Sequence, residues 1–237
     1  MKRVKHRVDI RGNIIPNNYK WYYNFFGEDS TCPRDVQKII NTMAAGDEVE
    51  VYINSPGGVI DVGSEIYTML RSCENVKIYV TGQACSAASI IAMAGHCEMS
   101  PTSLMMVHCV ASGIRGNHND MEHMAEVLRT ADNALCTAYM EKAGMSREEA
   151  LEMMEHETWI TAEQAKEKGL IDGIMFEEKE TSLPLVAGAM FSLPTEEQLA
   201  KVKIMIKEVD DDSLNDSSST FLLQQKLNFL KLGGKTK

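Results

Sequence analysis

The chain has 237 residues, of which 44% are hydrophobic and 24% charged, enough for one full-sized core with an appendage rather than two equal domains. A formal net charge of −10 argues against nucleic acid or an anionic membrane as the main partner. No run approaches the roughly 18 apolar residues of a membrane span, and the basic start MKRVKHRVDIRG lacks the apolar stretch of a secretory signal.

A cytoplasmic protein is therefore expected. The six cysteines form no CxxC pair and several fall inside predicted elements, which fits reduced thiols better than a disulfide framework or a zinc site. In chain order, Val8 to Ile15 reads as a strand or strand pair around Gly12. Trp21 to Phe26 is an aromatic segment for core or interface. Pro33 opens a helix with Val36, Ile39, Ile40 and Met43 on one face, expected to end at Gly46. Val49 to Asn54 reads as a strand running into Ser55-Pro56-Gly57-Gly58, followed by a helix carrying Val62, Ile66, Met69 and Leu70. The unit then repeats: Lys77 to Thr81 is β-branched and aromatic, and from Ser86 to Gly95 the residues are small and apolar on all sides, as in a buried helix.

A third strand, Leu104 to Val110, puts Leu104, Met106 and His108 on one face and Met105, Val107 and Cys109 on the other. The longest helix is expected over Asp120 to Lys142, with Met121, Met124, Leu128, Ala131, Leu135 and Ala138 in one stripe. Ser146 with Glu149 and Thr161 with Gln164 form capping boxes, and the second helix stops at Gly169 before a strand over Leu170 to Phe176. Alternating strands and helices predict an α/β fold with parallel pairing. The character changes near Glu177, so we divide the chain into a domain over 1–176 and an extension over 177–237. In the extension, Thr195 to Glu208 reads as a helix and Thr220 to Leu232 as a second, amphipathic one. Its ending GGKTK lacks the first glycine of a phosphate loop, since that position is Phe229.

Ser86 stands at a strand-to-helix corner, where backbone N–H groups without intrahelical partners can stabilise an oxyanion. A plain N-cap is the structural alternative. His108 near a strand end reads either as a base or as a satisfied core histidine. Gly57 and Gly58 read as a tight turn or as room for a reacting carbonyl, and Glu157 as a solvated carboxylate. Their common place at strand ends or helix starts raises them together, because a crossover fold brings such positions to one rim. A serine nucleophile needs a base, and an imidazole base needs a carboxylate.

The segments INSPGGVIDVGSEIY, GQACSAASIIAMAG, LMMVHCVASG and ETWITAEQAKEKGLIDGI resemble the Clp protease proteolytic subunit (ClpP) family, most closely its phage and prophage branch that processes capsid precursors. The resemblance covers about Val8 to Phe176. It implies a ClpP/crotonase-like β-α superhelix with a protruding long helix, and a serine endopeptidase in which Ser86 is the nucleophile and His108 the base. Gly58 and Ala87 would supply the oxyanion-hole amides and Glu157 the acid, where cellular members usually carry aspartate. It further implies homo-oligomeric stacked rings, a polypeptide substrate and no cofactor or metal. An AAA+ unfoldase is a candidate partner, weakened by the lack of the N-terminal segment typical of cellular ClpP. Two alternatives are an inactive structural or assembly subunit and a crotonase-type acyl-CoA enzyme.

Overall fold

Three segments with apolar residues at every second position build the centre of the sheet: β1 (Lys5–Ile14), β3 (Glu48–Gly58) and β4 (Val76–Cys85). Val8, Ile10, Val49, Val51, Ile53, Ile78 and Val80 all point to one buried face. On the opposite face Arg7 lies over the Tyr52 ring, 4.2 Å from its centroid, and Tyr52 stacks on Tyr79. This is a computed structural model, and it describes residues 3–177 together with Glu197, Ala200 and Lys201. The two helices read in the extension therefore lie outside the described residues, apart from those three positions.

Six strands run in the order β2-β1-β3-β4-β5-β8, with β2 at Ser30–Thr31, β5 at His96–Met99 and β8 at Gly173–Ile174. Each neighbouring pair is parallel. The first half of β4 pairs with β5, and its last residues, Gln83 to Cys85, pair in parallel with β6 (Leu104–Val107). β6 then pairs antiparallel with β7 (Thr158–Thr161). The sheet thus branches along β4, and its second branch leads to His108.

Helices α2 (Pro33–Ile40), α3 (Ile60–Arg71) and α4 (Ala87–Ala92) bury Val36, then Val62, Ile66 and Leu70, then every residue of α4. The 26-residue α5 (His118–Ala143) follows, and then α6 (Arg147–Glu155) and α7 (Ala162–Glu167). Both capping boxes form: Ser146 Oγ accepts from Glu149 N–H at 3.2 Å and Thr161 Oγ1 from Gln164 N–H at 3.3 Å.

Several boundaries differ from the sequence reading. The first segment is one strand with a register break between Arg11 and Asn13, at Gly12, whose φ of 59° and lack of a side chain let the Asp29 carbonyl pack against it. The aromatic segment forms a short helix, α1 (Lys20–Phe26), with no buried residue. α2 ends at Ile40 rather than at Gly46. α4 ends at Ala92 and leaves room for β5, a strand the pattern did not announce. Leu170 and Ile171 are buried ahead of β8 without belonging to it. All six cysteines are free, and no helix among the described residues is long and apolar enough to cross a membrane.

Candidate active site

Ser86 sits between β4 and α4 with φ 55° and ψ −124°, a backbone conformation that a non-glycine residue adopts only where its surroundings enforce it. The enforcement is visible. Ser86 N–H donates to the Met106 carbonyl at 2.8 Å, continuing the β4–β6 pairing to the corner. Gly57, at φ 96°, lies so close that a Cβ there would fall 2.5 Å from the Cys85 carbonyl oxygen and 2.8 Å from Ser86 Cβ. Ser55 holds that glycine loop: its hydroxyl donates to the Gly12 carbonyl at 2.6 Å and accepts from Gly57 N–H at 3.1 Å. A serine on a strained strand-to-helix corner presents its Oγ clear of the sheet, which is the geometry of a nucleophile elbow.

The pairing that fixes Ser86 also fixes His108, one residue beyond the end of β6. His108 Nε2 and Ser86 Oγ are 2.8 Å apart, within hydrogen-bond reach for proton transfer. Ala87 begins α4, whose first N–H groups have no intrahelical partner, and Gly58 ends β3 beside them. Gly58, Ser86, Ala87 and His108 line one cavity of about 110 Å³, whose wall is apolar through Ile60, Ile90, Leu135 and Met154.

Glu157 is placed differently. The β6–β7 register pairs Met106 with Trp159 and Val107 with Thr158 and ends there, so His108 and Glu157 are the residues that flank its last pair. The Glu157 backbone leaves the strand there, at φ 45°, and the side chain is exposed. One carboxylate oxygen accepts from the Trp159 indole at 3.4 Å, and among the described residues no hydrogen bond joins Glu157 to His108. The structure thus brings Ser86, Ala87, Gly58 and His108 to one cavity and leaves Glu157 out of its lining.

A backbone tie does join the two segments. The Met154 carbonyl accepts both from Cys109 N–H at 3.1 Å and from Glu157 N–H at 3.2 Å. Two more supports escaped the sequence reading, Asp132 and Tyr139, both buried on α5. Their signal was their spacing, each four residues after a leucine of the apolar stripe, at Leu128 and Leu135. Burial first, and then the Asp132 carboxylate, push the Cys109 thiol up to about 11, so this cysteine beside the site stays a neutral thiol near neutral pH.

A family model described as Clp protease matches residues 36–178. The chain belongs to the Clp protease family. Curated relatives include subunit 1 of the ATP-dependent Clp protease proteolytic component from Chlamydia abortus, 34% identical over 164 residues, which are 64% of this chain and 85% of the relative. The corresponding protein of Chlamydia caviae is 33% identical over the same coverage. The proteolytic subunit of Bacteroides fragilis is 31% identical over 140 residues, 57% of this chain and 68% of the relative. The Clp protease match spans Ser86, His108 and Glu157, and the mixed α/β architecture with its parallel sheet is that of a ClpP-like fold. It favours the peptidase reading over the acyl-CoA alternative.

Proposed function

We propose that this Clp protease family member is a serine endopeptidase that hydrolyses polypeptides inside a ring assembly of its own copies. The observation that carries the reading is the 2.8 Å approach of His108 Nε2 to Ser86 Oγ at a strained corner. In this scheme His108 takes the hydroxyl proton as Ser86 Oγ attacks the scissile carbonyl carbon. The N–H groups of Gly58 and Ala87 receive the oxyanion. His108 then returns the proton to the leaving amine, the C–N bond breaks, and an acyl-serine ester remains. Water attacks that ester with His108 again as base, releasing the carboxylate product and restoring Ser86. For Glu157 to fix the imidazole tautomer and stabilise its charged form, its exposed carboxylate has to turn from the Trp159 indole toward His108. The Ile60, Ile90, Leu135 and Met154 side of the cavity that the pair lines suits an aliphatic side chain of the substrate. No step needs a metal or a cofactor.

We further infer a cytoplasmic enzyme of the prophage type that matures capsid precursors, with an AAA+ unfoldase as an optional partner. We read residues 1–176 as the protease domain and 177–237 as an extension. A second reading, an assembly subunit without turnover, draws on the exposure of Glu157 and its lack of a bond to His108. One experiment separates the two. A fluorophosphonate probe should label wild-type protein at Ser86, and Ser86→Ala should lose label and about 10⁴- to 10⁶-fold in peptide hydrolysis while keeping its assembly. Unlabelled, inactive wild-type protein supports the assembly subunit, and labelling at Ser89 overturns the assignment of Ser86.

A further inference from the structure

The Ser86–His108 pair is made of residues from different segments, and each segment is tied to α5 by one buried polar side chain. Asp132 is 9% exposed, and its Oδ1 accepts from Val110 N–H at 2.7 Å, two residues after His108. Tyr139 is 2% exposed, and its hydroxyl lies 2.7 Å from Ser89 Oγ. Ser89 is fully buried, and its hydroxyl donates to the Ser86 carbonyl at 2.6 Å. That carbonyl can only accept, so the single Ser89 proton is committed to it and the Tyr139 hydroxyl must be the donor to Ser89. Burial pushes the Tyr139 phenol well above its ordinary range, which keeps it a neutral donor.

Asp132 and Tyr139 are seven residues apart, two helical turns, and so lie on the same side of α5. We propose that they are positioning residues of the site, through which one helix sets the distance and angle between Ser86 and His108. This rests on the serine-peptidase reading given above. The pair of ties is sensitive to the placement of α5, because sliding or rotating the helix strains one hydrogen bond against the other. It also gives Ser89 a role other than nucleophile: its proton holds the strained Ser86 backbone. An unpaired hydroxyl or amide in such a site is costly, which favours both ties closing together.

The test uses full-length Tyr139→Phe, Asp132→Leu and Asp132→Asn proteins, each checked for wild-type assembly. Two readouts are taken: the rate of fluorophosphonate labelling at Ser86, and kcat and KM on a fluorogenic peptide library. Tyr139→Phe removes one oxygen atom, and Asp132→Asn keeps the accepting oxygen. Tyr139→Phe and Asp132→Leu should each lower the labelling rate and kcat about ten- to a hundredfold with KM nearly unchanged, since small misplacement of reacting groups acts on the chemical step. Asp132→Asn should restore most of the loss. A merely structural role would lower the melting temperature without this split and without rescue by asparagine.

The His108 side-chain ¹⁵N signal supplies a readout independent of turnover. It should change in Tyr139→Phe and Asp132→Leu and stay as in wild type in Asp132→Asn. Folded Tyr139→Phe and Asp132→Leu proteins with wild-type labelling rates and an unchanged His108 signal overturn the proposal. Wild-type protein that resists the probe while its variants still shift the His108 signal overturns the peptidase reading and leaves the positioning role standing.

Discussion

The two halves of α5 carry the same apolar periodicity and meet different fates. From Asp132 onward the helix buries Asp132, Cys136, Ala138 and Tyr139. Over His118 to Ala131 it buries none: Met121 and Val127 are 44% and 45% exposed, and Met124 and Leu128 are half-buried. The second half has its partners within the chain, in α4, the residues after His108 and α6. The first half borders a groove of about 690 Å³ that Tyr23 and the Gly58–Ile60 turn share. Its start is held by a cap, in which Asn117 Oδ1 accepts from Asn119 N–H at 2.9 Å and Asp120 Oδ2 accepts from Asn117 N–H at 2.8 Å. A cap alone stabilises about a turn of helix and does not explain the exposed Met121 and Val127 or the half-buried Met124 and Leu128 beyond it. The contrast supports a division of labour in which the inner half of α5 packs within the chain and the outer half, by the ring assembly proposed above, would meet a neighbouring copy.

The contrast breaks if the outer half can be charged without effect. Leu128→Glu should weaken assembly about a thousandfold or more, since burying an unpaired charge at an interface costs on the order of several kcal/mol. Peptide hydrolysis should fall with it. Light scattering over a dilution series checks the mass, and a fully active monomer at low concentration would sink the assignment of this face.

How much of this was readable beforehand follows from what each feature depends on. Ser86 was legible as a strand-to-helix corner, whereas His108 lay inside an expected strand and was singled out as its partner by its place near a strand end and by the family resemblance. The capping boxes were legible as local patterns too. β5 and β7 escaped notice because each has four residues with at most two buried, too few to show a period beside Gly95 or Thr161. His108 falls one residue beyond its strand, since β6 stops pairing where the β7 partner turns away at Glu157. The positions of Asp132 and Tyr139 depend on the rotation of one helix against two other segments, and the Met154 tie is a backbone carbonyl with no residue signature. Register likewise had to be seen before His108 and Glu157 could be set on either side of the last β6–β7 pair.

Glu157→Gln should do the reverse of Leu128→Glu, leaving assembly alone and lowering the chemistry. A carboxylate that stabilises the imidazolium acts only in the transition state, so kcat should fall with KM little changed. An exposed carboxylate places the effect near the lower end of the usual acid–base contribution, about 10²-fold. Steady-state kinetics beside the same light-scattering run checks both halves of the statement. Near-normal turnover would mean that Ser86 and His108 work as a dyad, or that another carboxylate serves.

The smallest effect belongs to the far end of α5, where Lys142 anchors the inner half. Its ammonium donates to the Gly95 carbonyl at 2.8 Å and to the Asp172 carboxylate, which also accepts from Cys97 N–H at 2.7 Å and lies 3.5 Å from the His96 ring. Burial raises the Asp172 pKa, but the Lys142 hydrogen bond, the Cys97 amide and the charges of Lys142 and His96 outweigh it, and the net shift is downward. A carboxyl group held below its unfolded value of about 3.9 stabilises the fold above that pH, and the contribution is lost as pH falls through the folded value. The group is partly exposed and screened, so the effect should be about 1 kcal/mol or less. The melting-temperature gap between wild type and Asp172→Asn should therefore be full at pH 7, begin to narrow below about pH 5 and close progressively below about pH 4. A gap of constant size from pH 7 to pH 3 would show that the anchor works through hydrogen bonding alone, without the charge.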